Sequence, residues 1–211
     1  MRSFVSLALA LVALALTPGS AAAGTTLVLE PATDIGLPFW CDWGYDWDER
    51  CYTDDGSRLP VGGVDDKVWR SAVRFPIAQL PADGSIAAAR LRLWFDGTCV
   101  APRKTSVRCG PRGYDIDVHR ILSADWLHER ELEFDEEVEA TAALPAGAGS
   151  RWLEWDVTTL ARSWRAGSAA NDGLLLKLAA FEEDFGVSGP YLPSMSYPDA
   201  SVRPQLVVAY P

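Results

Sequence analysis

Short segments in which apolar and polar residues alternate recur along this chain, separated by Gly, Pro and Asp clusters. A strand turns successive side chains to opposite faces, so this period-two pattern in pieces of five to eight residues predicts half-buried β-strands. The segments are Thr25 to Glu30, Val68 to Phe75, Ala88 to Phe95, Tyr114 to Ile121, Trp152 to Val157, Leu174 to Phe181 and Gln205 to Tyr210. In the third, Leu91, Leu93 and Phe95 form the inward set and Arg90, Arg92 and Trp94 the outward one; Leu174, Leu176 and Leu178 are the inward set of the sixth. One helix is expected: Thr158 or Thr159 caps Leu160–Ala166, Gly167 stops it, and Leu160 and Trp164 face the sheet. Seven strands with one short helix predict an all-β fold, a two-sheet antiparallel β-sandwich of jelly-roll type.

The N-terminus reads differently. Met1-Arg2-Ser3 is a short positive region, Phe4 to Leu16 is an apolar run, and residues 17–23 end in small residues of the Ala-x-Ala kind. Residues 1–23 are therefore expected to be a secretory signal peptide, leaving 24–211 as a single domain. The apolar run falls short of the roughly 18 residues that span a bilayer, and no other run reaches that length, so no membrane insertion is expected. With 19 Lys plus Arg against 29 Asp plus Glu, a net charge of −10 argues against nucleic acid as a partner.

An exported chain can keep disulfides. The four cysteines fall into two equally spaced pairs, Cys41 with Cys51 and Cys99 with Cys109, each flanked by loop-forming residues; pairing within each loop is the preferred choice among three connectivities. Zinc lacks a pattern, because there is no Cys-x-x-Cys and His119 and His128 match no ligand spacing. His128-Glu129 opens like a zincin motif, but position 132 is Leu. There is no Gly-x-Ser-x-Gly elbow and no phosphate-cradling Gly-x-x-x-x-Gly-Lys loop, and chance alone pairs carboxylates among 29 acids. No convergent catalytic set emerges, and the expectation is a non-enzyme.

Nine Trp are many for this length, and the stretch Phe39 to Tyr52 holds six aromatics and four acids in fourteen residues. Trp40, Trp43, Tyr45 and Trp47 can form a platform for the apolar faces of sugar rings, with Asp42 and Asp46 accepting hydroxyl hydrogen bonds. The competing reading packs these aromatics beneath the loop as a satellite cluster. Calcium is permitted by Asp42, Asp46 and Asp48, but their spacing does not match an EF-hand, so no cofactor is called for. A second candidate surface is the stripe Arg70, Arg74, Arg90, Arg92 and Trp94, which shares one face if its two strands pair and can then meet carboxylated sugars bidentately. Its alternative is a solvated face paired to nearby acids. The acidic run Glu129 to Glu139 reads as a solvated face or loop.

Several blocks, in order, carry a family resemblance. Asp66-Lys67-Val68-Trp69-Arg70-Ser71-Ala72-Val73-Arg74-Phe75-Pro76-Ile77, then Leu80-Pro81 and Ile86 to Leu93, resemble the core of DNRLRE-type domains. These domains overlap with carbohydrate-binding module family 96 and are related to disaggregatase repeats. Val118 to Ile121 with Trp126, Trp155 to Leu160 with Trp164 and Gly167, Asn171 to Lys177, and Arg203 to Tyr210 continue the likeness over most of residues 25–211. The resemblance implies an extracellular, non-catalytic β-sandwich that attaches to polysaccharide, often as a module of a larger surface protein or degrading enzyme. Fold likeness alone does not fix function. The expectation is thus a secreted, monomeric polysaccharide-binding module. The alternatives are a structural or adhesive surface module with a protein partner, and, last, a jelly-roll hydrolase or lyase.

Overall fold

The structure is a computed structural model and describes residues 24–38, 56–64, 67–80, 85–101, 105–124, 132–179 and 188–211. Its strands are β1 (Thr25–Leu29), β2 (Thr33–Pro38), β3 (Arg58–Pro60), β4 (Gly62–Val64), β5 (Lys67–Arg74), β6 (Ala88–Phe95), β7 (Thr98–Ala101) and β8 (Thr105–Arg108). They continue with β9 (Tyr114–Ile121), β10 (Phe134–Leu144), β11 (Arg151–Asp156), β12 (Leu174–Leu178), β13 (Tyr191–Pro193) and β14 (Gln205–Tyr210), with the helix α1 (Thr158–Ala166) between β11 and β12. A four-stranded antiparallel sheet has the order β1-β14-β6-β11, and a six-stranded one the order β10-β9-β12-β5-β2, with β4 also paired to β5. Setting aside β2 and the short strands, the chain visits the two sheets in the double Greek-key order of a jelly roll. The expected all-β sandwich is what the sequence forms.

The core lies between the sheets, where each strand sends alternate residues. Leu91, Leu93 and Phe95 of β6, Leu153 and Trp155 of β11, and Leu206 and Val208 of β14 meet Ile116 and Val118 of β9 and Leu174, Leu176 and Leu178 of β12. Trp155 spans the gap: its Nε1 donates to the Ile116 carbonyl at 2.8 Å, so the one polar atom of a fully buried ring is satisfied by the opposite sheet. The helix closes one end through Leu160, Ala161 and Trp164.

Three expectations change. The helix starts earlier: Val157 is its N-cap and Thr158 is already helical, while the Asp156 carboxylate accepts the Thr158 N–H at 3.0 Å and its hydroxyl at 2.5 Å. An Asx-type turn before the helix therefore takes the place of the threonine cap. The strand expected over Leu174 to Phe181 is described as far as Leu178. Finally, β5 and β6 do not pair. β5 and β6 belong to different sheets, and between them Phe75, Leu80 and Ile86 are buried and Ile77–Gln79 forms a 3-10 turn, where a hairpin would need only two to five residues. The stripe from Arg70 to Trp94 is consequently divided between two sheets.

The acidic run is partly strand. From Phe134 onward it forms β10, an edge strand paired only to β9 in which Glu136, Glu137 and Val138 are exposed and the register shifts twice between Phe134 and Ala140. Cys99 and Cys109 form the expected local disulfide, with Cα atoms 4.9 Å apart, across the small sheet of β7 and β8. Cys41 and Cys51 lie outside the described residues. No described helix is long and apolar enough to cross a membrane.

Candidate functional site

Alternation leaves the outer side of the four-stranded sheet to Arg90, Arg92 and Trp94 of β6, Trp152, Glu154 and Asp156 of β11, and Gln205 and Val207 of β14. Register then sets who meets whom. Trp152 lies opposite Trp94, Glu154 opposite Arg92, and Asp156 opposite Arg90, while Gln205 flanks Arg92 from the other side. The two indole rings are 5.4 Å apart and inclined by 71°, an edge contact in the favourable range for aromatic pairs. The Arg92 guanidinium lies 4.5 Å from the Trp152 ring centre and its Nε pairs with Glu154 at 2.9 Å. Arg90 reaches the other oxygen of Glu154 at 3.1 Å, and Arg92 donates to Gln205 at 3.5 Å.

This row is half-buried at the indoles and open at its charged end, where Arg90 is 58% and Glu154 38% exposed. Hydrogen bonds from the Thr158 hydroxyl and amide hold the exposed Asp156 carboxyl below its ordinary value, so it carries its charge. Beside Trp152 the edges of β11 and β10 leave a cleft of about 450 Å³, lined by residues 141–143 and 151–154. The arrangement offers aromatic surface, paired guanidinium and carboxylate groups, and an adjoining groove, on a sheet that fixes all of them.

The six-stranded sheet presents a different outer face. Arg70, Asp117, His119 and Lys177 are there, each more than nine-tenths buried, beside the apolar cluster of Ile35, Ala72, Ile121 and Leu175. They have partners: Arg70 lies over the Phe134 ring at 5.2 Å, Thr141 donates to Asp117 at 2.5 Å, and His119 Nδ1 sits 2.9 Å from the Asp135 carbonyl. Buried charges are kept when paired, and these four side chains offer little surface to a polymer. Arg74, half-buried on the same strand as Arg70, donates to the Ala124 carbonyl at 3.4 Å.

Of the residues singled out from sequence, the fold thus brings Arg92 and Trp94 together and sets Arg70 and Arg74 on the opposite sheet. Trp40, Asp42, Trp43, Tyr45, Asp46 and Trp47 lie outside the described residues. Trp152, Glu154 and Gln205 were missed. Their outward placement is legible in the alternation of β11 and β14, but that these strands flank β6 is a property of the topology. Among the described residues, no three His, Cys, Asp or Glu side chains are grouped to hold a metal ion. No protein-family model and no curated protein matches this chain.

Proposed function

We propose that this protein is a secreted, non-catalytic polysaccharide-binding module whose contact surface is the outer face of the four-stranded sheet. The observation that carries the reading is the outward Trp94–Trp152 pair, buttressed by Arg92 and Glu154 on the two hydrogen-bonded strands β6 and β11. Sugar rings present apolar C–H faces and hydroxyl edges, and recognition needs aromatic surface next to groups that donate and accept hydrogen bonds. A β-sheet supplies both already ordered, which lowers the entropic cost of binding. The leader-like N-terminus and the disulfide support an extracellular setting. The non-catalytic part of the reading is supported by the burial of His119, one of the two histidines in the sequence.

The test is affinity electrophoresis against a panel of soluble polysaccharides with the wild type and Trp94→Ala and Trp152→Ala variants. Retardation by at least one polymer is expected, lost in both variants while the fold, followed by circular dichroism, persists. Trp43→Ala and Trp47→Ala, run alongside, ask the same of the aromatic loop. Silence with every glycan, together with self-association or capture of a surface protein, would replace this reading by the adhesive one.

A further inference from the structure

Resting on that reading, we infer that the ligand of the Trp94–Trp152 face is a single soluble chain of a neutral polysaccharide, not a crystalline polysaccharide surface and not a polyuronate.

The first part follows from ring geometry. A flat crystalline face is met by aromatic rings lying in one plane. Here the rings are inclined by 71°, so at most one can lie flat on a planar surface, and one face of Trp152 is occupied by the Arg92 guanidinium. The groove that begins at Trp152, between the edges of β11 and β10, gives a separate chain a course that a crystal plane cannot follow. Trp94, Trp152 and this groove lie in line across the strands, because the two indoles are directly opposite in register and β11 is the sheet edge.

The second part follows from charge. The two arginines of the face stand opposite two carboxylates, Arg92 with Glu154 and Arg90 with Asp156, and Glu154 touches both arginines. A uronate carboxylate would have to displace Glu154 from Arg92, exchanging one ion pair for an equivalent one and leaving Glu154 beside a like charge. A hydroxyl has no such conflict. It donates to a carboxylate lone pair and accepts from a guanidinium N–H at once, and a joined Arg–Glu pair presents both side by side.

The experiment measures binding of the wild type to soluble neutral polymers (glucans, xylans, mannans), to alginate and polygalacturonate, and to microcrystalline cellulose, at low and high salt. Trp94→Ala, Trp152→Ala and Glu154→Gln are measured in parallel. Expected are binding to a soluble neutral polymer that salt leaves nearly unchanged, a weakening of about tenfold or more in either Trp variant, and a weakening in Glu154→Gln as well. Preference for a polyuronate or for cellulose, with sensitivity to Trp94 retained, would overturn this inference and leave the polysaccharide reading standing. Absence of any glycan binding, or binding indifferent to both Trp variants, would overturn the reading of the face and this inference with it. Should Trp94→Ala fail to fold, Trp94→Phe and Glu154→Gln carry the comparison.

Discussion

Arg58 ties together segments that are far apart in the chain. Its guanidinium pairs with Asp96 at 2.6 Å, donates to the Tyr191 carbonyl at 2.9 Å and to the Tyr197 hydroxyl at 3.2 Å, and stacks 4.8 Å from the Tyr197 ring. Burial raises the Asp96 carboxyl, yet the hydrogen bonds from Thr98 and Arg58 and the Arg58 charge together hold it below the ordinary value. Asp34 shows the opposite balance. Burial pushes its carboxyl up to about 6, against the lowering effect of the Met195 N–H that it accepts at 2.6 Å. An acid with a folded value above its unfolded value of about 3.9 binds its proton more tightly in the folded state. Its contribution to stability is present below the unfolded value and is lost as pH rises from about 4 to about 6. Asp34→Asn is therefore expected to flatten this part of the profile and to be the more stable protein at pH 7 by on the order of 2 kcal/mol. Urea midpoints of both proteins between pH 4 and 7 check this; parallel profiles would mean that Asp34 titrates alike in the folded and unfolded chains.

At the scale of elements, legibility tracks how many periods a strand displays. β6, β9 and β14 begin and end where alternation places them, because apolar residues recur at every second position and enter the core: Leu91, Leu93 and Phe95, then Tyr114, Ile116 and Val118, then Leu206, Val208 and Tyr210. β3, β4, β7, β8 and β13 have three or four residues each, too few for a period to stand out. β10 hides for another reason: at a sheet edge its outward acids are solvated, and only Ala142 and Leu144 at its end are fully buried. The candidate site was legible by half. Alternation turns Trp94 and Arg92 outward, but it is silent on which strand lies alongside, and the pairing of β6 with β11 rather than β5 decides whether their neighbours are Trp152 and Glu154 or Arg70 and Arg74. The helix stop is a local signal and held. Gly167 sits at φ +71°, with its amide bonded to the Ser163 and Trp164 carbonyls. A side chain there is strained even with open space around it, so Gly167→Ala is expected to cost about 1 kcal/mol, read as a lowered urea midpoint with an unchanged m-value.

For the molecule as a whole, two sheets share one core and a covalent tie secures its margin. Cys99 is buried in that core, and next to it Val100 packs with Trp69 and Tyr191, so packing fastens the hairpin of β7 and β8 to the sandwich while the disulfide to Cys109 closes the hairpin on itself. Replacing both cysteines by Ala removes the cross-link without touching Cys41 or Cys51. The expected loss is about 2–4 kcal/mol, measured by denaturant unfolding, and a variant of unchanged stability would show that the hairpin is held by packing alone.

The place of the last strand has a consequence in time. β14 is inserted between β1 and β6, with Thr25 opposite Tyr210 and Leu29 opposite Leu206. The earliest strand of the sandwich thus has no sheet to join until the latest one arrives, and the four-stranded sheet that carries the Trp94–Trp152 face is finished by the end of the chain. Pairing across nearly the whole sequence makes closure slow, and until it happens β1 and β6 remain bare edges open to strands from other molecules.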